Sequence, residues 1–381
     1  MGLPEDGHEY LEKLIAESGN GRQSFDRFSQ FLEYKAREKG VPVRGQFELT
    51  PLCNFDCKMC YAHLNADQLH GNSILSVDQW KDLIHQAWKA GMYKAVLTGG
   101  ECLSYAGFEE IYLYLHGLGC EISVLTNGAL LNERWIHFFR EHMPNRIQIT
   151  LYGNNDEAYE KVTGKRAFED VLKNIQNANE AGLPIRISVT PNRYMGDSIF
   201  ETIRIANENT RNLVINYSLF RPREETGRSK QNDDISLEEY LRMRQYVNKL
   251  ARKEIKEIPD EELPAAGGSL HECSECGLTC GGGRSGFAID WKGIMHPCNA
   301  LNDIESYPLE VGFPKAWETI NQAAENWPRV PECIGCLYRT VCNTCAANML
   351  HYAEPGKQPK ELCEQTRYMV KHGVWRMPDC E

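Results

Sequence analysis

The strongest constraint on this chain is a regular alternation of strand-like and helical stretches between Gln46 and Tyr217. The strand-like runs are QFELT (46–50), YKAVL (93–97), EISVL (121–125), RIQITLY (146–152), IRISVT (185–190) and NLVINY (212–217). Strands joined by helical crossovers must lie parallel, in a sheet covered by those helices. The stretch LSVDQWKDLIHQAWKAG shows the helical pattern best. Ser76 is placed to N-cap it, and Gln79 stands at the capping-box position. Val77, Trp80, Ile84, Ala87 and Trp88 recur as an apolar stripe, and Gly91 suits the stop. Other helices start near Phe108, Asn132, Phe168 and Ser198, and SLEEYLRMRQYVNKLARKEI forms the last. Six such units are too few for the eight-unit barrel. The expectation is an α/β fold, an open, partial (β/α)6 TIM-like barrel over residues 46–260. Residues 1–45 are polar and carry one helix, SFDRFSQFLEYKAREKG, ended by Gly40 and Pro42. After about Glu261 the periodicity stops at a linker-like LPAAGGS. Residues 261–381 then form a separate, cysteine-rich domain, in which GFAIDWKGIMHPC reads as a hairpin turning through Trp291-Lys292-Gly293.

A formal net charge of -11 argues against a nucleic-acid-binding surface and leaves a small molecule or a peptide as the partner. No apolar run is long enough to cross a bilayer, and MGLPEDGHEY lacks the apolar core of a secretory signal, so a cytoplasmic protein is expected. Asp6 stands where a myristoylation site would need Ser or Thr. Fifteen cysteines in such a chain point to bound metal rather than disulfides.

Three of them, Cys53, Cys57 and Cys60, lie in CNFDCKMC with C-x3-C-x2-C spacing, directly after the first strand. That loop is at the C-terminal end of the strand, the active-site face of barrels of this type. A structural zinc site closes with four ligands, and a zinc knuckle here would have to borrow a distant one. A [4Fe–4S] cubane held by three thiolates keeps one iron open. The second strand ends in VLTGGEC, where Gly99 and Gly100 allow a close backbone approach to a ligand and Glu101 offers a carboxylate to an ammonium group. An ordinary β-α turn is the plainer explanation of that stretch taken singly.

Together these motifs resemble the radical S-adenosylmethionine superfamily, over roughly residues 46 to 220. The resemblance implies that Cys53, Cys57 and Cys60 hold a [4Fe–4S] cluster whose open iron chelates S-adenosyl-L-methionine. It places Thr98, Gly99, Gly100 and Glu101 at the methionine amino group. Thr126 and Asn127 after the third strand, and Thr150 after the fourth, fall at further cofactor positions. Met59 stands where the family has an aromatic residue near the adenine, and Cys102 replaces the usual proline after the glutamate. A thiol at Cys102 would be placed to give a hydrogen atom to a substrate radical.

Ten cysteines fall between Cys273 and Cys380, more than one zinc ribbon can use. Their spacing around the hairpin resembles the SPASM extension, which binds two auxiliary [4Fe–4S] clusters. Carried over, Cys276, Cys280, Cys298 and Cys345 would hold one, and Cys333, Cys336, Cys342 and Cys363 the other. The gap before Cys345 is one residue shorter than usual, and Cys273 is the alternative ligand. The implied activity is hydrogen abstraction from a peptide or protein residue by a radical enzyme with three clusters, leading to a cross-link, an oxidation or an epimerisation in ribosomal peptide maturation. A flavodoxin- or ferredoxin-type electron donor goes with it. The 45 residues before the first strand are few for a leader-binding domain, so a leader peptide would need a separate adaptor or a direct docking surface. The alternatives are a sulfatase-maturase-like or small-molecule dehydrogenase, and a non-catalytic Fe–S carrier or sensor. Asn299 stands where a sulfatase maturase would have its catalytic Asp, leaving Asp290 as a candidate base. The arginine-rich YSLFRPREETGRS (217–229) reads as a solvated loop, with a substrate or cofactor carboxylate as its other possible partner.

Overall fold

In the computed structural model, residues 21–375 are described apart from 70, 219, 228–234, 253–258 and 260–276. Cys273, Cys276, Cys380 and the boundary at Glu261 lie outside the described residues. Helix α1 (Gly21–Lys39) ends at Gly40, which takes a left-handed φ of 64°. The alternation then runs β1 (Arg44–Glu48), α2 (Val77–Lys89), β2 (Lys94–Thr98), α3 (Phe108–Gly117), β3 (Glu121–Thr126), α4 (Glu133–Glu141) and β4 (Arg146–Thr150). It continues with α5 (Asp156–Thr163), α6 (Phe168–Glu180), β5 (Ile185–Val189), α7 (Ser198–Asn209), β6 (Leu213–Ile215) and α8 (Leu237–Leu250). The C-terminal part holds β7 (Gly286–Ile289), β8 (Met295–His296), α9 (Pro308–Val311), α10 (Phe313–Glu325), α11 (Ala346–Tyr352) and α12 (Lys360–Lys371). The Ser76–Gln79 capping box forms at α2 as expected.

All eight strands share one sheet, in the order β6-β5-β4-β3-β2-β1-β7-β8. Every pairing is parallel except β7 with β8, and the sheet is an open, partial barrel. Three details depart from the expected pattern. Helix α5 is an additional turn-rich element between β4 and α6, capped by Asn155 and closed by Gly164 at φ 71°. Trp88, expected in the buried stripe of α2, is 40% exposed and stacks on His85, whereas Leu83 takes the core position. The predicted hairpin extends the main sheet, with Arg44 to Phe47 aligned on Gly286 to Ile289. Aromatic packing explains why: Phe287 sits edge-on to Phe47 at 5.9 Å and to Phe313 at 5.0 Å.

Strand periodicity divides the sheet into two faces. Phe47, Leu97, Val124, Ile147, Ile149, Ile187 and Val189 are fully or almost fully buried in the apolar core that the helices cover. Gln46, Glu48, Ser123, Gln148 and Ser188 alternate with them on the concave side. A closed barrel packs that side with branched apolar residues. Here it is polar, so the inside of the partial barrel is a lined space.

Candidate active site

The cysteine loop is held in place by the turn after β2. Gly100 N–H donates to Thr50 O at 2.7 Å, and Glu101 N–H donates to Leu52 O at 2.9 Å. A Cβ on Gly99, at φ 151°, would lie 2.5 Å from Thr50 O, and one on Gly100 would lie 2.3 Å from Leu52 O. Both glycines are therefore required by contact with the backbone of the cysteine loop itself. The close approach foreseen for a ligand is first an approach between two segments of this chain.

Glu101 is fully buried and joins β2 to β3. Its Oε1 accepts from Thr126 Oγ1 at 2.7 Å and from Leu103 N–H at 3.1 Å, and its Oε2 accepts from Asn127 N–H at 2.7 Å. Burial raises its carboxyl above the usual range despite these three donors. Asn127 carries the network to the cysteines, since its Nδ2 donates to Asn54 Oδ1 at 2.7 Å and stands 3.6 Å from Cys53 Sγ. Thus Glu101, Thr126, Asn127 and Cys53 converge. Thr98 is buried, and Met59 is half-buried against the core. Thr150 sits one strand further on, paired through its hydroxyl with Ser188 Oγ at 2.8 Å. Cys102 has no exposure, and its thiol donates to Leu125 O at 3.1 Å. Burial, with the nearby Glu101 charge, lifts that thiol well above its ordinary pKa.

The donor set at the loop suits thiolates bound to a cationic group. Phe55 N–H points at Cys53 Sγ at 3.4 Å, and His63 N–H at Cys60 Sγ at 3.3 Å. Burial pushes the Cys53 thiol up to about 12, against the opposing pull of the Phe55 amide and the Asn127 side chain. Among the described residues no three Cys, His, Asp or Glu side chains converge on one point as a single ion would require. A cubane sets a different demand, one thiolate at each of three separate irons.

In the C-terminal part, all the described cysteines are free. Burial raises the Cys298 thiol to about 11, and the charges of Cys345 and Cys280 add to it. Cys333, Cys336, Cys342 and Cys363 instead line one cavity of about 360 Å³. Side-chain donors again face sulfur there: Thr366 Oγ1 lies 3.4 Å from Cys342 Sγ and Gln358 Nε2 lies 3.8 Å from Cys363 Sγ.

Several residues of the site were not singled out from sequence. Asn54 lies inside the cysteine motif but has no distinctive spacing. Ser188 was hidden in an ordinary strand. Arg223 belongs to the loop read as solvated, yet it is buried and forms a two-pronged ion pair with Glu48. It also donates to Asn299 O at 2.9 Å, next to Cys298, while its own N–H donates to Tyr61 O at 2.9 Å, next to Cys60. Asp290 is buried in the hairpin turn, accepting from Lys292 N–H at 2.9 Å and Ile294 N–H at 3.0 Å. Its burial works against ionisation, but His296 and the turn amides more than offset this and hold the carboxyl below the usual range. That makes it a weak base.

Comparison with known proteins agrees with this geometry. Residues 47–220 match the Radical SAM superfamily. The chain carries a radical SAM domain and is a radical SAM enzyme. An AdoMet-dependent heme synthase of Methanosarcina barkeri is 25% identical over 83% of this chain and 93% of its own length. A probable GTP 3',8-cyclase of Saccharolobus solfataricus is 31% identical over 54% of this chain, which spans 66% of that relative. The sporulation killing factor maturation protein SkfB of Bacillus subtilis is 25% identical over 43% of this chain and 39% of its own length. Among solved structures, Streptococcus suis SuiB bound to precursor peptide SuiA superposes with a TM-score of 0.66 over 94% of this chain and 87% of that one, at 18% identity. The fold, C-terminal extension included, is thus that of SuiB. No helix of the described residues is long and apolar enough to cross a membrane.

Proposed function

We propose that this enzyme modifies a peptide or protein residue, with Cys53, Cys57 and Cys60 holding the radical-generating cluster and the C-terminal cysteines holding two auxiliary [4Fe–4S] clusters. When bound, the first cluster and S-adenosyl-L-methionine supply a 5′-deoxyadenosyl radical that abstracts a substrate hydrogen. The chain's own part is positional. Gly99 and Gly100 fix the cysteine loop, and Asn127 ties that loop to Glu101. Thr98, Thr126, Thr150 and half-buried Met59 border the space where the cofactor would lie. The buried thiol of Cys102 is better suited to packing than to hydrogen donation.

The observation that carries the reading is the set of four thiols, Cys333, Cys336, Cys342 and Cys363, around one cavity. We assign Cys280, Cys298 and Cys345 to a second group. Cys276 or Cys273 would complete the second group. The likeness to SuiB and SkfB supports a peptide substrate, and a flavodoxin- or ferredoxin-type protein would supply the electron. The low basicity of Asp290 speaks against a sulfatase-maturase-like use of the hairpin. A second reading, a small-molecule substrate, is favoured by the near full-length match to the heme synthase.

Anaerobic reconstitution followed by iron analysis and assay for 5′-deoxyadenosine tests the proposal. About twelve irons per chain, at four per cluster, and a mass change in a peptide encoded beside this protein are expected. Turnover of a tetrapyrrole but of no peptide would select the second reading. Zinc in place of iron, with no cofactor cleavage, would sink both.

A further inference from the structure

The opposite end of the barrel, where the strands begin, carries charges that the cysteine site does not use. Arg44, Lys94, Glu121 and Arg146 open β1, β2, β3 and β4, and Arg186 is the second residue of β5. An interior cavity of about 340 Å³, walled in part by Gln46, Ser123 and Gln148, reaches this mouth. It shares Lys94, Glu121 and Arg146 with a wider groove that runs past Arg186 and Arg211.

The carboxylates on these walls do not balance the guanidinium groups. Glu33 is committed to Lys94 at 2.5 Å, and Glu208 pairs with Arg204. Among the described residues, Glu180 and Glu121, the latter with a contact of its own, stand against Arg44, Arg146, Arg186 and Arg211. The Nε atoms of both Arg146 and Arg186 are buried without a hydrogen-bond partner among the described residues. Burial and the repulsion of Arg186 and Arg44 both act against the charge on Arg146. Like charges gathered in a partly buried mouth are costly unless an anion joins them, and this chain is otherwise strongly acidic.

Spacing narrows the ligand. Arg186 is aligned with Gln148, two residues beyond Arg146 on the neighbouring strand. Both side chains therefore leave the same face of the sheet from adjacent strands, close to the strand starts. Two linked phosphates offer each guanidinium its own set of acceptor oxygens and carry the charge to offset both, which a single carboxylate does not.

We propose that the N-terminal mouth of the barrel is a second ligand site, for a small molecule carrying a multivalent phosphate gripped by Arg146 and Arg186, with Arg44 at the rim. The probe is inorganic pyrophosphate, titrated calorimetrically into the reconstituted holoenzyme at fixed ionic strength, with S-adenosyl-L-methionine present at saturation. The expected result is saturable binding that the cofactor does not displace, weakened about ten- to a hundredfold by Arg146→Gln or by Arg186→Gln. Arg146→Lys and Arg186→Lys keep the charge, which guards against loss of the fold, and should still weaken binding through loss of the forked contact. No saturable heat with the unaltered enzyme, or unchanged affinity in either pair of variants, overturns the proposal.

Discussion

Arg223 and Glu48 meet in a buried, two-pronged ion pair, Nη1 to Oε1 at 2.9 Å and Nη2 to Oε2 at 2.8 Å, although 175 residues separate them. Glu48 ends the first strand, just before the cysteine loop. Arg223 comes from the loop after the sixth strand and also holds Asn299 O beside Cys298. One guanidinium thus ties the strand before the cysteine loop to the segment that carries Cys298. Removing one partner leaves the other charge buried and unpaired, which typically costs about 3–5 kcal/mol. Arg223→Met should therefore unfold at markedly lower denaturant, and pairing it with Glu48→Leu should recover much of the loss. Additive losses in the double variant would contradict the pairing.

Gly100→Ala should damage the cysteine loop selectively. Its Cβ would press on Leu52 O and Pro51 O, both backbone atoms that cannot rotate away. Overpacking of this kind costs about 1–3 kcal/mol. Reconstituted protein should lose about four irons per chain, one cluster's worth, while the iron proposed for the C-terminal cysteines stays bound. Full iron content with normal 5′-deoxyadenosine formation would show that the loop tolerates the shift.

Cys102→Ala should leave product formation in place. The thiol is sealed from solvent and bonded to Leu125 O, so its loss removes packing and one weak hydrogen bond. A stability decrease of about 1 kcal/mol is expected, measurable by denaturation. Cofactor cleavage that continues while product disappears would instead assign Cys102 to hydrogen donation.

Cys333→Ala should affect the C-terminal part and spare the radical site. It removes one of four thiols around a shared cavity, and metal binding contributes directly to folding in segments with little apolar core. Iron should fall by about four per chain, and limited proteolysis should cleave first after α11. Loss of the cluster proposed at Cys53, Cys57 and Cys60 at the same time would show that the two parts fold as one unit.

The sequence by itself determined the strand count, most of the helices and the C-x3-C-x2-C loop, because these rest on short-range periodicity and spacing that neighbouring residues enforce. The Ser76–Gln79 cap and the left-handed Gly40 and Gly91 are local in the same sense. Contacts between distant segments were decided only by the tertiary structure. The hairpin joined the main sheet because Phe287 found Phe47 and Phe313. Trp88 yielded its place in the core to Leu83, a matter of which side of α2 faces the sheet. Gly99 and Gly100 were legible as a tight turn, but not as the seat of the cysteine loop. The partner of Arg223 was equally hidden, since a buried charge needs an opposite charge nearby in space and nothing in the chain order says where it will come from.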